Sequence, residues 1–88
     1  MIGGYAALAA ELKYPRIAQM AGLSGTVLVL VVIGTDGIPR DATIARGVQE
    51  SLDKEALRAV MLQKFVPGRQ RGRAVTVAMH IPVIFRLR

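Results

Sequence analysis

Cysteine is absent from the 88 residues. This excludes a disulfide framework and any thiolate metal site, and leaves the redox compartment open. Aromatic residues are scarce: Tyr5, Tyr14, Phe65 and Phe85 complete the set. Nine glycines and four prolines are too few for a collagen-like or linker sequence, and a chain 52% apolar and 20% charged is not a disordered tail. The longest apolar run, Val27 to Ile33, is far short of the roughly 20 residues that cross a bilayer. The start, Met1-Ile2-Gly3-Gly4, carries no basic stretch and no cleavage pattern follows, so no signal peptide is expected. The chain reads as cytosolic or as a domain cut from a longer protein. Its length allows one domain, 1–88, of a size that buries only about 60% of its unfolded surface.

Acids stop at Glu55. Residues 1 to 63 hold six bases (Lys13, Arg16, Arg40, Arg46, Lys54, Arg58) and all six acids (Glu11, Asp36, Asp41, Glu50, Asp53, Glu55). The net charge of +6 therefore lies wholly in Lys64, Arg69, Arg71, Arg73, Arg86 and Arg88. Such a one-sided field favours an anionic partner, whether nucleic acid, lipid headgroup or acidic peptide. The plainer alternative is a solubility device around a hydrophobic strand.

Catalytic chemistry finds little to work with. His80 is the one histidine, without a cysteine partner or neighbouring carboxylate. Ser24 and Ser51 fall at a strand entry and a helix start, and Gly22-Leu23-Ser24-Gly25 misses the nucleophile-elbow spacing. Gly34-Thr35-Asp36-Gly37 is a turn, not a dinucleotide loop. No acids recur at metal-ligand spacing. An enzyme is not expected, and neither a cofactor nor a metal is implied. Gly68-Arg69-Gln70-Arg71-Gly72-Arg73 could grip phosphates, but no aromatic is interleaved for stacking, so no nucleic acid is expected as partner.

Periodicity predicts the elements. Tyr5, Leu8, Ala9 and Leu12 share helical spacing, giving a short helix or an ordered lead-in over 1–13. Pro15 to Ala21 reads as a two-turn helix with Ile17, Ala18 and Ala21 on one face, Gly22 as its left-handed terminator and Leu23 folding back. Thr26 to Ile33 is a β-branched strand, Thr35-Asp36-Gly37 a hairpin turn, and Arg40 to Arg46 a second strand that Pro39 assigns to an edge or a late start. A helix follows, capped by Ser51 or Asp53, with Leu52, Ala56, Ala59, Val60 and Gln63 along its stripe and Pro67-Gly68 after it. Arg73 to Phe85 alternates over Val75, Val77, Met79, Ile81, Val83 and Phe85 as a strand with one buried face. Pro82 cannot donate a ladder bond, so this strand is expected at a sheet edge. The fold class is α+β: a small three-stranded antiparallel sheet with two helices packed on one face, in the order helix-strand-strand-helix-strand.

Two surfaces follow. Leu28, Leu30 and Val32 point away from the helices, with Ala78 and Ile84, and suggest a self-association face or a homodimer. The last strand offers unpaired N–H and C=O groups to an extended peptide, with Arg71, Arg73, Arg86 and Arg88 at its ends to attract an acidic one.

The ordered set Gly3-Gly4…Leu8, Tyr14-Pro15…Ala18, Gly22-Leu23-x-Gly25-x-Val27-x-Val29-x-Val31-x-Ile33, Asp36-Gly37, Leu52-Asp53-x-x-Ala56-Leu57, Phe65-x-Pro67-Gly68, Gly72-x-Ala74-Val75 and Ile81-Pro82-Val83-x-Phe85 resembles the C-terminal domain of TonB-type energy-transducing proteins over nearly the whole chain. The resemblance implies a periplasmic domain of an inner-membrane-anchored protein, working with the motor proteins ExbB and ExbD. It implies that the TonB box of outer-membrane TonB-dependent receptors pairs with the last strand, for uptake of siderophores, cobalamin or glycans. The partner-binding residues would then be Arg73, Ala74, Val75, Thr76, Val77, Ala78, Met79, His80, Ile81, Val83 and Ile84. Tyr14 and Pro15 would join them, as the two positions that match the motif before the first helix. The alternative is a self-associating interaction domain of a sensor or secretion protein in the cell envelope.

Overall fold

Nine residues of uninterrupted alternation, Gly25–Ile33, form β1 and become the middle strand of the sheet in the computed structural model, which describes residues 1–87. Val27, Val29, Val31 and Ile33 are buried on one face. β2, Pro39–Arg46, pairs antiparallel on one side of β1, and a C-terminal strand, Val77–Phe85, pairs antiparallel on the other. Pro39 starts an edge strand, as its missing N–H requires.

Three helices, α1 (Gly4–Glu11), α2 (Arg16–Met20) and α3 (Glu50–Met61), supply the rest of the core. α3 buries Leu52, Ala56, Ala59 and Val60, α1 buries Leu8, and α2 buries Ala18. Phe65, Ile81, Val83 and Phe85 complete the cluster. The expected α+β class and three-stranded antiparallel sheet are therefore present.

The lead-in is a helix in its own right, so three helices stand where two were expected. Its alanines and leucine favour a helix. At eight residues it could not persist without tertiary contacts, and burial of Leu8 contributes roughly 2 kcal/mol. α2 differs too: Ala18 faces inward, but Ile17 and Ala21 stand in solvent, because five residues cannot turn a wide face to the core. Gly22 ends it with φ 68°, and the Leu23 N–H returns to the Ala18 carbonyl at 2.8 Å, as expected. The cap of α3 is Gln49 rather than Ser51 or Asp53. Its side-chain oxygen accepts the Ser51 N–H at 2.8 Å, while Asp53 accepts from the Val48 N–H at 2.9 Å.

The largest departure concerns the last strand, which does not run unbroken from Arg73. β3 (Gly68–Gln70) and β4 (Arg73–Val75) form a separate two-stranded hairpin, and β5 begins at Val77. Arg71 (φ 51°) and Gly72 (φ 78°) both take the left-handed region, the signature of a two-residue type I′ turn.

Polar contacts tie the N-terminal helices to α3. The Glu55 carboxylate accepts the Lys13 N–H at 2.6 Å and two guanidinium N–H groups of Arg58 at 2.7 Å. Arg58 also donates to the Glu11 carbonyl at 2.8 Å, and the Ile2 N–H reaches the Lys64 carbonyl at 2.7 Å. Arg58, with help from the Lys13 N–H, holds the Glu55 carboxyl below the ordinary carboxylate range despite its partial burial. A lowered native value means that the ionised carboxylate stabilises the fold above its unfolded-state pKa, and that this contribution fades as pH falls through the native value. Glu55→Gln is expected to melt at lower temperature than wild type at pH 7. The gap should narrow once pH drops below about 4.3, the unfolded-state range, and thermal melts at stepped pH read it.

The β1–β2 turn is braced by Phe65, whose N–H donates to the Gly37 carbonyl at 2.9 Å. Gly37 has φ 80°, and a Cβ there would lie 2.0 Å from the Phe65 carbonyl oxygen. At Gly22, φ is also positive, but a Cβ would meet nothing within 4 Å. Gly22→Ala should cost about 1 kcal/mol of backbone strain, and Gly37→Ala at least twice that, in urea unfolding midpoints.

Candidate peptide-docking edge

β5 is hydrogen-bonded to β1 on one side only; no strand flanks its other side among the described residues. In an antiparallel ladder the N–H and C=O of one residue point the same way, alternating along the strand. One hydrogen bond reveals the parity: the Ile84 N–H donates to the Tyr5 hydroxyl at 2.7 Å, away from β1. Ala78, His80, Pro82 and Ile84 therefore direct their backbone groups outward, while Val77, Met79, Ile81, Val83 and Phe85 serve the β1 ladder. Pro82 sits opposite Leu28, where its missing N–H removes no bond to β1. The open edge thus offers two N–H donors, at Ala78 and His80, and four carbonyls, at 78, 80, 82 and 84.

Side chains follow the same parity. Ile81, Val83 and Phe85 are buried; Ala78, His80, Pro82 and Ile84 lie on the exposed face. Val77 is half-buried and Met79 is exposed. His80 belongs to this exposed face, and no cluster of three His, Cys, Asp or Glu residues surrounds a metal position among the described residues.

The C-terminal end of β5 opens into a cleft of about 440 Å³ lined by Tyr5, Ala9, Leu12, Tyr14, Ile84, Phe85 and Arg86. The Tyr14 ring packs edge-on against Phe85 with centroids 5.6 Å apart, and its hydroxyl donates to the Leu23 carbonyl. Of the two residues that precede α2, Tyr14 thus joins the edge, whereas Pro15 sits at the start of α2 and outside the cleft lining.

The other end leads into the β3–β4 hairpin. Arg73, Ala74 and Val75 pair there with β3, and Thr76 is the joint before β5. These four sequence-predicted docking residues are therefore off the open edge. The physical reason is local: the left-handed turn at Arg71 and Gly72 folds β4 back onto β3, and Gly68 packs so close to Val77 that a Cβ on it would come within 2.5 Å of a Val77 methyl. Arg69, Arg71 and Arg73 are exposed on this hairpin, and Arg86 is exposed at the far end. The ion pairs among the described residues are Arg40–Asp36, Lys54–Glu50 and Arg58–Glu55, so these four arginines face no carboxylate. Arg88 lies outside the described residues.

Leu28, Leu30 and Val32 do point away from the helices, but the strands flanking β1 leave them half-buried rather than open. α1 does not cover that face; it packs against α3 and the end of β5. Sequence reasoning did not find Tyr5 or Arg86's place in the cleft. Tyr5 carried only its helical spacing with Leu8, and nothing local announces a contact 79 residues away.

Comparison with known proteins agrees with this fold. The family profile described as "Gram-negative bacterial TonB protein C-terminal" matches residues 10–87. Protein TonB of Vibrio cholerae is 34% identical over 76 residues, covering 85% of this chain and 31% of that protein. Protein tonB2 of Pseudomonas aeruginosa is 32% identical over 76 residues, 85% of this chain and 28% of that one. The chain thus spans about a third of the length of these relatives. Two NMR solution structures of the Helicobacter pylori TonB C-terminal domain superpose on it, both at 27% identity. One has a TM-score of 0.71 over 92% of this chain and 86% of that one; the other has 0.74 over 96% and 77%. With β5 at the sheet edge and this match over nearly its whole length, the chain belongs to the family of TonB C-terminal domains of Gram-negative bacteria.

Proposed function

We propose that this domain is a periplasmic, non-enzymatic binding module that docks the TonB box of outer-membrane receptors by strand addition to β5 and passes on a mechanical pull. In this reading, the full-length protein is anchored in the inner membrane. ExbB and ExbD draw on the proton gradient to supply the pull, which opens receptors for nutrients such as siderophores. The observation that carries the reading is the unpaired outer side of β5, with Pro82 turned toward it. Tyr14 supports it from the cleft; the half-burial of Leu28, Leu30 and Val32 speaks against a self-associating domain as the main role.

The expected strength follows from the edge. A segment paired along residues 78 to 82 meets two N–H and three C=O groups, about five bonds at a net ~1 kcal/mol each. Ordering the segment subtracts from this. Docking through backbone bonds alone is then near the millimolar range, where Kd corresponds to about −4 kcal/mol, and cleft contacts add to it.

A synthetic TonB-box peptide from a receptor of the same organism is expected to shift the backbone amide signals of residues 77–84 at millimolar concentration. Unmoved β5 amides with shifts elsewhere would overturn the mechanism. Parity provides a sharper test. His80→Pro removes an outward donor and leaves the β1 ladder intact, so the protein should fold normally and bind at least about fivefold more weakly. Met79→Pro removes a donor that faces β1, and should instead lower the melting temperature. Sedimentation should give a monomer at all concentrations; a concentration-dependent dimer lost on Leu30→Lys would favour the self-association reading.

A further inference from the structure

We infer that the Tyr5 hydroxyl occupies the place of a partner carbonyl on the β5 edge and so limits the length of strand that the edge accepts. The inference rests on the docking reading above and deepens it. Four outward positions follow one another on β5: 78, 80, 82 and 84. The first two have N–H groups without a partner among the described residues, the third has none because it is Pro82, and the fourth donates to Tyr5 at 2.7 Å. A hydrogen bond from an edge N–H to an oxygen 79 residues away is what an added strand would make there.

Tyr5 is not part of a fraying tail. It stands one turn before Leu8, which is fully buried. The helix that carries both is tied down at each end, by Ile2 to Lys64 and by Glu11 to Arg58. Tyr5 is 39% exposed, so a rotamer change can withdraw the hydroxyl without opening the core. A short segment paired against 78 to 82 leaves this contact untouched. A longer one must replace the hydroxyl with its own carbonyl at Ile84, after which the side chain beyond enters the cleft between Tyr5, Leu12 and Tyr14. The surface therefore suits two classes of extended peptide differently: five-residue segments bind freely, and longer ones bind against an internal competitor.

Tyr5→Phe separates them. In hydrogen exchange, the Ile84 amide should be protected in wild type without peptide, and should exchange faster in the variant while the other β5 amides keep their rates. By calorimetry, a nine-residue TonB-box peptide should bind the variant about fivefold more tightly than wild type, the worth of one hydrogen bond no longer displaced. The same peptide cut to five residues should bind both alike. Equal Ile84 exchange in the two proteins overturns the inference, as does an equal gain for both peptides. If neither peptide binds either protein while Ile84 exchange still differs, the docking reading has failed and the length limit falls with it, but the Tyr5 contact itself stands.

Discussion

The regular pairing of β5 with β1 is the constraint on which the rest of the molecule depends. Nine residue pairs run from Gly25–Phe85 to Ile33–Val77 without a shift. The β1–β2 ladder, by contrast, changes register twice, after Leu28 and after Val32. Side chains and backbone groups alternate along a strand with the same period of two. One parity thus decides two matters together. It sends Ile81, Val83 and Phe85 into the core, and it sends the nitrogen of Pro82 to the side where no bond is needed. A slip of one residue would expose Phe85, bury His80 and place Pro82 against β1. Core packing and the open edge therefore enforce each other, and neither can be altered alone.

The same small size that makes the core thin makes the N-terminal helix important. α1 and α2 are too short to hold themselves, so their position comes from α3. Glu55 and Arg58 sit on the same α3 surface and engage Lys13 and Glu11 across 42 and 47 residues of sequence. Both target backbone groups at the α1–α2 junction, which fixes a chain segment rather than a mobile side-chain tip. The end of β5 inherits its boundary from this arrangement. Tyr5 reaches Ile84 only because α3 holds α1 beside the sheet, and Tyr14 reaches Phe85 from the junction that the clamp secures.

Much of this was legible in the residues because it is written in local periods. β1 and the second half of the last strand follow from alternation, α3 from its apolar stripe, and the edge position of β5 from Pro82 alone. The hairpin was not legible. Arg71 takes φ 51°, where asparagine, aspartate or glycine would have signalled a type I′ turn, and Val75 continues the alternation of β5 across the break at Thr76. A period of two cannot distinguish one long strand from two that fold apart. The Gln49 cap escaped because Ser51 and Asp53 are stronger cap formers, yet Asp53 spends its carboxylate on Val48 and leaves the Ser51 N–H to Gln49. Ile17 and Ala21 were misplaced for the opposite reason: helical spacing marks a face, but only a partner decides that it is buried.

Distance decides what the surplus positive charge can do for such an edge. A nine-residue strand is roughly 30 Å long at about 3.4 Å per residue. The hairpin arginines and Arg86 stand at its opposite ends, several Debye lengths apart at about 8 Å each in physiological salt. They act as two separate attractors, not as one field. All are exposed, so a contact with an acid in a docked segment contributes little once made, in the range of about 0–1 kcal/mol for surface pairs. Their larger effect is on encounter, since unpaired surface cations raise the rate at which an acidic segment arrives. In the proposed docking, specific holding must then come from uncharged groups: the two N–H donors, the carbonyls of the even-numbered residues, and the cleft between Tyr5 and Tyr14. Raising salt should therefore slow the approach of an acidic segment far more than it hastens its departure. This division of labour follows directly from a chain whose acids end at Glu55 and whose edge strand carries no acidic side chain.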